Sequence, residues 1–166
     1  MDIFSLLTAR GALYGEADTT RIRFDPAFRE ICASNSCGYY GACWTCPPDA
    51  GEIDALMQKV QSFTGAIVFT TTCPLEDSFD IEGMHEASRL HNQLVQEVQR
   101  EAKAQFAQAW VLGAGTCGVC ETCTKRENLP CRFPDRAITS LEACGVDVYQ
   151  LAKLAGLKYV NGANTV

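Results

Sequence analysis

Eight of the ten cysteines fall in two short stretches, and cysteine is the residue type here that points most clearly to chemistry. The later stretch has the spacing C-x2-C-x2-C-x7-C, formed by Cys117, Cys120, Cys123 and Cys131. Three thiolates separated by two intervening residues can bind three corners of one compact cluster, and a fourth from a short loop can bind the remaining corner. Structural zinc sites more often use two separated cysteine pairs. The spacing therefore favours a [4Fe-4S] cluster, with zinc as the alternative.

The earlier stretch is less regular, with gaps of four, five and two residues between Cys32, Cys37, Cys43 and Cys46. These cysteines lie in or beside a segment, 35–51, that is rich in glycine, proline and aromatic residues and has neither helix nor strand periodicity. All four thiols could hold one cluster or one zinc ion. Alternatively three bind, and one iron is left open to water, a substrate or a distant ligand. Cys73 is such a distant ligand, although a buried structural role is favoured for both Cys73 and Cys144.

Composition narrows the class of protein. The chain has 166 residues, enough for a single domain with a sizeable core, and a formal net charge of −6 without a basic tail. Nucleic-acid binding is therefore not indicated, and no run approaches the roughly 20 apolar residues of a membrane span. The first residues lack the basic region of a secretion signal, so we expect the cytoplasm. In a reducing compartment clustered cysteines indicate metal rather than disulfides.

Hydrophobic periodicity predicts an α/β fold. The predicted helices are a short one near residue 3, then 26–33, 52–63, 81–108, 140–144 and 148–155, and the predicted strands are 20–24, 66–72, 109–113 and 157–161. The strand, long helix and strand between 66 and 113 predict a parallel βαβ unit with a right-handed crossover. We therefore expect a small sheet containing this unit, with cysteine-rich metal-binding loops at one sheet edge, where ligands of open α/β sheets usually lie.

Aromatic and basic side chains flank the cysteines. They are Tyr39, Tyr40 and Trp44 near the first set, and Lys125, Arg126 and Arg132 near the second. The aromatic rings would shield a cluster from water or simply fill space. The basic groups would stabilise thiolates, guide an acidic redox partner or lie in solvent. His85 and His91 are six residues apart and do not share a helix face, so we expect surface or packing roles for them.

Two motifs resemble the signatures of a bacterial and archaeal family of predicted metal-binding proteins of unknown function. The first is Tyr40-Gly41-x4-Cys46-Pro47-Pro48, preceded by Cys32 and Cys37. The second is Cys117-x2-Cys120-x2-Cys123-x7-Cys131-Arg132-Phe133-Pro134, followed by Ser140-x2-Ala143-x-Gly145-Val146-Asp147-Val148. The resemblance runs from about Phe24 to the last residue.

The resemblance implies seven metal ligands: Cys32, Cys37, Cys46, Cys117, Cys120, Cys123 and Cys131. It does not extend to Cys43, which favours a three-cysteine first site. Members of the family occur largely in anaerobes and are usually taken to carry iron–sulfur or other metal centres. They tend to continue past residues 161–166 into another apolar strand, so we expect that a tail is absent here.

These observations predict an iron–sulfur protein with two [4Fe-4S] clusters that exchanges electrons with a redox protein partner. One alternative is a reductive enzyme, in which an open iron at the first set acts on a small-molecule substrate. Another is a zinc-stapled interaction module. Because the second set has a full complement of ligands, chemistry is expected at the first set.

Overall fold

The computed structural model describes residues 2–160 and 162–166. Its helices are α1 (Ile3–Ala9), α2 (Phe28–Ala33), α3 (Ile53–Gln61), α4 (Ile81–Gln105) and α5 (Val148–Leu154). Its strands are β1 (Leu13–Ala17), β2 (Ala66–Thr70), β3 (Leu112–Gly113) and β4 (Thr139–Ser140). Short 3-10 helices occupy Thr19–Arg21, Thr124–Glu127 and Glu142–Cys144.

Helix α4 is the main scaffold, as its apolar periodicity predicted. It begins after Asp80, whose side chain accepts a hydrogen bond from the Gly83 N–H at 2.8 Å and so satisfies one free donor of the first turn. Leu94 and Val98 of α4 pack against α1, where Leu7 has no solvent exposure. The short helix α1 is stable here because its apolar face is buried against α4.

A second apolar cluster joins α3 to α5. Val60 of α3 and Leu151 of α5 pack together with Cys144 and with Val146, which precedes α5. Cys144 is fully buried in this cluster, which agrees with the structural role expected for it. Asp147 caps α5 by accepting a hydrogen bond from the Gln150 N–H at 3.0 Å.

The strands form two small two-stranded sheets. Strands β1 and β2 are antiparallel, from Leu13 opposite Thr70 to Ala17 opposite Ala66. Strands β3 and β4 are parallel, with Leu112 opposite Thr139 and Gly113 opposite Ser140. The predicted mixed α/β class with a parallel strand pair is confirmed.

The partners of the strands differ from the prediction. We expected 66–72 and 109–113 to flank α4 in one parallel sheet, but β2 pairs with β1 and β3 pairs with β4. Strand β1 was not predicted, and it takes one edge of β2. Both β2 and the segment containing β3 line a cavity of about 1130 Å³, and side chains from both, such as Val68 and Leu112, pack on the same apolar cluster.

Two further predicted strands are absent. In place of a strand over 20–24, a 3-10 helix follows Asp18, whose carboxylate accepts from the Thr20 N–H at 2.8 Å, and Phe24 makes only an isolated bridge to Val146. Residues 157–160 form no strand either. The Leu157 N–H instead donates to the Ala152 carbonyl at 2.8 Å and completes the end of α5. The last predicted strand residue, 161, lies outside the described part of the chain.

Within the described residues, none of the helices has the length and apolar character needed to cross a membrane.

Candidate metal centre

The first cysteine set starts on α2, which carries Cys32. One side chain of this helix ties both ends of the following loop to the core: the Arg29 guanidinium donates to the Gly51 carbonyl at 2.7 Å and to the Ala143 carbonyl at 3.1 Å. A guanidinium offers several donors in one plane, so it can hold two backbone carbonyls together. The loop between them is therefore closed at its base although it has no regular secondary structure.

Backbone turns then bring Cys43 and Cys46 together. The Cys46 N–H donates to the Cys43 carbonyl at 3.1 Å, and the Ala50 N–H donates to the Cys46 carbonyl at 2.9 Å. The Gly41 N–H reaches across to the Pro47 carbonyl at 2.9 Å, and the Pro47–Pro48 peptide is cis. These bonds account for the order of a segment without helix or strand periodicity.

A hydrogen bond joins the side chains of Cys43 and Cys46. The Cys46 S–H donates to the Cys43 sulfur, and this bond, against the opposing effect of burial, lowers the pKa of Cys43 to about 5. The same bond, together with burial, raises the pKa of Cys46. Cys43 also lies 3.4 Å from the Thr45 hydroxyl and accepts the backbone N–H of Cys117. Of the two side chains, Cys43 is the one whose surroundings favour the thiolate, which is the form that binds metals.

The other two cysteines of the first set lie close to this pair. The charges of Cys37 and Cys32 both contribute to the raised pKa of Cys46. Burial raises the pKa of Cys32, and the neighbouring Cys37 adds to the effect. Cys37 is exposed and Cys43 is 3% exposed, so the set runs from the surface into the protein.

The second cysteine set leaves β3 through a turn at Gly118. This residue has φ +64°, and a Cβ there would lie 2.6 Å from the side-chain nitrogen of Asn92 on α4. Glycine is the residue that fits both constraints. The following 3-10 helix begins at the buried Thr124, whose hydroxyl donates to the carbonyl of Pro130, the residue before Cys131, at 2.9 Å. The second loop thus turns back on itself between its third and fourth cysteines.

Cys117 is the inner member of this second set. Burial raises the pKa of its thiol, while hydrogen bonds from the Ile138 and Val119 N–H groups oppose that effect. The Ile138 nitrogen lies 3.5 Å from the Cys117 sulfur. Cys43 and Cys131 both lie within electrostatic reach of Cys117. Cys120, Cys123 and Cys131 are half-buried on the same segment.

The two cysteine loops contact each other directly. The Lys125 ammonium lies 2.7 Å from the Asp49 carboxylate and 4.3 Å from the centre of the Trp44 ring. The Trp44 indole N–H donates to the Leu129 carbonyl at 2.9 Å. Lys125 and Asp49 are only 16% and 19% exposed, so this pair is shielded from water. We call these contacts between residues 44–49 and 125–129 the loop interface.

The contacts of the loop interface were not predicted from the sequence. Trp44 was expected to shield a cluster or fill space, and Lys125 to stabilise thiolates or lie in solvent. Asp49 was not singled out at all, because residues about 75 positions apart leave no periodic trace in a sequence. Arg126 donates to the Gly38 carbonyl at 3.4 Å and Arg132 to the Thr122 carbonyl at 3.1 Å, so both also bind backbone within or between the loops.

Cys73, the candidate distant ligand, and the two histidines lie outside the cysteine loops. Cys73 is half-buried beyond β2, where it exchanges backbone hydrogen bonds of 2.8 and 3.0 Å with Val166. His91 packs inside, with its ring stacked on Phe69 and its Nδ1 2.8 Å from the Thr71 hydroxyl. His85 is exposed. The histidines thus have the packing and surface roles expected of them.

The donor set fits a thiophilic metal, although its sulfurs are not closed around one. All ten cysteines are free thiols, and eight of them lie on the two loops that contact each other through the loop interface. Across residues 2–160 and 162–166, no three Cys, His, Asp or Glu side chains stand together as a group that could hold a metal ion. Binding would therefore draw the thiols inward, as is usual when metal binding and local folding are coupled. Cys32, Cys37 and Cys46 would hold the first metal group, with Cys43 as the candidate fourth ligand, and Cys117, Cys120, Cys123 and Cys131 would hold the second.

Free thiols gathered on two ordered loops of an α/β domain define a candidate metal-binding protein. Comparison with known families agrees: residues 16–166 match the family described as "Predicted metal-binding protein (DUF2284)". The chain belongs to this family, as its two motifs predicted. No curated protein and no solved structure matches the chain.

Proposed function

We propose that the chain carries two [4Fe-4S] clusters, one on each cysteine loop, and exchanges single electrons with a redox protein partner. The observation that carries the proposal is the meeting of two four-cysteine loops at one interface, with every cysteine free. Membership of a family of predicted metal-binding proteins supports a metal. The all-thiol donor sets and the C-x2-C-x2-C spacing favour an iron–sulfur cluster over zinc.

The surroundings of Cys117 support an anionic, sulfur-rich group. Its thiol accepts backbone N–H groups from Ile138 and Val119. Such donors stabilise negative charge on a ligating sulfur and so help to set the reduction potential of a bound cluster. When bound, a cubane takes up or gives back one electron at a time. The protein's part is to hold the sulfurs, supply these N–H donors and exclude water from the inner face.

The outer face of the second loop suits contact with a partner. Arg126 and Arg132 are exposed there, although the chain as a whole is acidic. A local basic patch steers a partner with an acidic surface. We place the protein in the cytoplasm, where a reducing environment keeps its cysteines available for metal.

A second candidate is a reductive enzyme that uses an open iron at the first set. Cys37 is exposed while Cys43 is buried, so the first set has a side open to solvent where a small substrate could approach. Under this proposal Cys32, Cys37 and Cys46 hold the metal group, and the second loop feeds it electrons. Addition of a small thio or carbonyl compound should then perturb the spectrum of one cluster only. No spectral response to any such compound would contradict this candidate.

Electron paramagnetic resonance of the anaerobically reconstituted, dithionite-reduced protein tests the leading proposal. We expect signals from two clusters. Cys37→Ser should remove or alter one signal and Cys123→Ser the other, because each variant removes a ligand from one set. A colourless, air-stable protein with bound zinc would contradict the proposal and favour the zinc-stapled interaction module.

A further inference from the structure

The two small sheets lie in the same layer of the molecule. Phe69 of β2 and Val111, next to β3, both pack on the apolar cluster of α1 and α4. Val68 of β2 and Leu112 of β3 both pack on the apolar cluster of α3 and α5. Successive side chains of a strand point to opposite faces. Strand β2 and the segment containing β3 therefore lie between the same two layers of helices.

Each of these two segments has one backbone edge without a partner strand. Strand β1 pairs with one edge of β2, and β4 pairs with one edge of β3. In the described part of the chain, no other backbone hydrogen bond involves residues 66–72 or 108–112. An unpaired strand edge is a template for another strand, and its polar groups are costly to leave unpaired where water is excluded. Both edges can therefore accept a further strand.

The cavity of about 1130 Å³ lies along the free edge of β2. Every residue of β2 lines it, as do residues 108–114, whereas β1 contributes only Glu16 and Ala17 at its end. All five residues of β2 are half-buried, although an apolar cluster lies on each of its faces. The exposure of β2 therefore comes from its edge, where the sheet lacks a neighbouring strand.

A short ladder next to β2 gives the direction that such a strand would take. Cys73 exchanges two backbone hydrogen bonds with Val166, at 2.8 and 3.0 Å. The Leu75 N–H donates to the Asn164 carbonyl at 2.8 Å. This pairing is antiparallel, and Val166 lines the cavity. A strand beside β2 with the same direction would extend the ladder from Cys73 along β2.

The lining of the cavity selects the chemistry of the occupant. Ala87 and Val98 line it from α4, and Val146 and Leu151 line it from the region of α5. A strand covered by apolar side chains on both faces needs a near-continuous run of apolar residues. A small apolar molecule would leave the free backbone groups of the two edges without partners, whereas a peptide backbone satisfies them.

We propose that this cavity binds an extended apolar segment of a partner polypeptide, which pairs with β2 in the antiparallel direction and completes the sheet towards β3. No cysteine is among the described residues that line the cavity. The proposal is therefore independent of the metal groups, and its failure would leave the proposed function standing.

Binding of a fluorescein-labelled peptide, Lys-Val-Ile-Val-Ile-Val-Lys, to the reconstituted full chain tests the proposal by fluorescence anisotropy. The control peptide has the same sequence with N-methyl groups on alternate residues, which remove the donors of one edge. It should bind about tenfold or more weakly, because several backbone hydrogen bonds are lost. Failure of the first peptide to bind, or equal binding of both, would overturn the proposal.

Two neighbouring positions of α4 provide matched variants. Ser88→Trp adds bulk at a residue that lines the cavity and should weaken peptide binding by about tenfold, since lost apolar and hydrogen-bonding contacts add up. Arg89→Trp adds the same ring at a residue that is not among the described lining residues and should leave binding unchanged. Equal effects of the two variants would place the peptide outside the cavity and overturn the proposal.

Hydrogen exchange of the unaltered chain reports the paired edges directly. Peptide binding should slow exchange in residues 66–72 and in residues 108–112, because their free backbone groups gain partners. Binding without this protection, as an apolar contact alone would give, would overturn strand addition. Protection of both segments in a peptide-free dimer would overturn the partner polypeptide, because a second copy of the chain would then fill the cavity.

Discussion

The apolar framework and the loop interface are stabilised in different ways. The framework, built by α1 and α4 on one side and by α3 and α5 on the other, buries periodic apolar side chains. The loop interface has no helix longer than a 3-10 turn and is held by an ion pair, a ring contact and side-chain bonds to carbonyls. We therefore expect the framework to fold without metal and the cysteine loops to gain stability from the proposed metal groups.

This difference yields tests that separate the two regions. A change in the framework should alter the free energy of unfolding and leave metal binding intact. A change in the loop interface should lower metal affinity as well as the free energy of unfolding.

Leu94→Ala removes a buried apolar side chain from the framework and should have the largest effect on stability. Leu94 is 5% exposed and packs between α4 and α1, so its truncation should reduce the free energy of unfolding by about 2–5 kcal/mol. Denaturant unfolding of the metal-free chain measures this loss. Leu90→Ala is the matched control, because Leu90 lies on the same helix and is 46% exposed. An equal loss in both variants, or a change in metal stoichiometry for folded Leu94→Ala, would contradict the separation of framework and loops.

Lys125→Met removes the ion pair of the loop interface. The variant keeps much of the side chain's apolar stem but leaves the Asp49 carboxylate, 19% exposed, without its partner. We expect the free energy of unfolding to fall by roughly 1–3 kcal/mol, which lies between the values for exposed and fully buried ion pairs. Metal affinity should fall by about tenfold, since supporting groups of this kind cost that much when removed.

A double-mutant cycle with Asp49→Asn isolates the pair. If the two side chains act through each other, the effects of Lys125→Met and Asp49→Asn on Co²⁺ affinity should not add. Lys153→Met, on the exposed side of α5, provides the control for loss of a positive charge. Strict additivity, or an equal effect of Lys153→Met, would show that the loop interface does not support metal binding.

His91→Gln should have the smallest effect, visible only as a pH dependence. Burial lowers the pKa of His91 below its ordinary value, so the folded state prefers the neutral ring. As pH falls through about 6.5, the unfolded chain takes up the proton first and unfolding is favoured. The stabilising contribution is therefore complete above that pH and is lost towards the lower pKa of the folded state.

Denaturant midpoints measured from pH 8 to pH 5 check this prediction. The unaltered chain should lose stability more steeply below about pH 6.5 than His91→Gln. His85→Gln, at the exposed histidine of the same helix, should follow the unaltered chain. If His85→Gln flattened the profile and His91→Gln did not, burial of His91 would not be the cause.

Periodicity predicted the helices of the framework well. Helix α4 was expected over 81–108 and spans Ile81–Gln105, and α3 was expected over 52–63 and spans Ile53–Gln61. Their apolar residues recur with the helical period, and that local signal survives folding. Strand pairing was predicted poorly, because the partner of β2 is β1, which ends about 50 residues earlier and has exposed apolar side chains such as Leu13.

Spacing identified the cysteines but not their contacts across the loops. Cys117 and Cys131 could be grouped because they lie on one short segment. The bond from the Cys117 N–H to Cys43, and the pairing of Lys125 with Asp49, join residues about 75 positions apart. Only the fold brings such residues together, so these contacts could be found only from the structure.

The content of iron and acid-labile sulfide in anaerobically purified protein tests the central claim most directly. We predict equal amounts of both, at the level of two cubanes per chain, with loss of half in Cys123→Ser. Stoichiometric zinc without labile sulfide would contradict the proposed function.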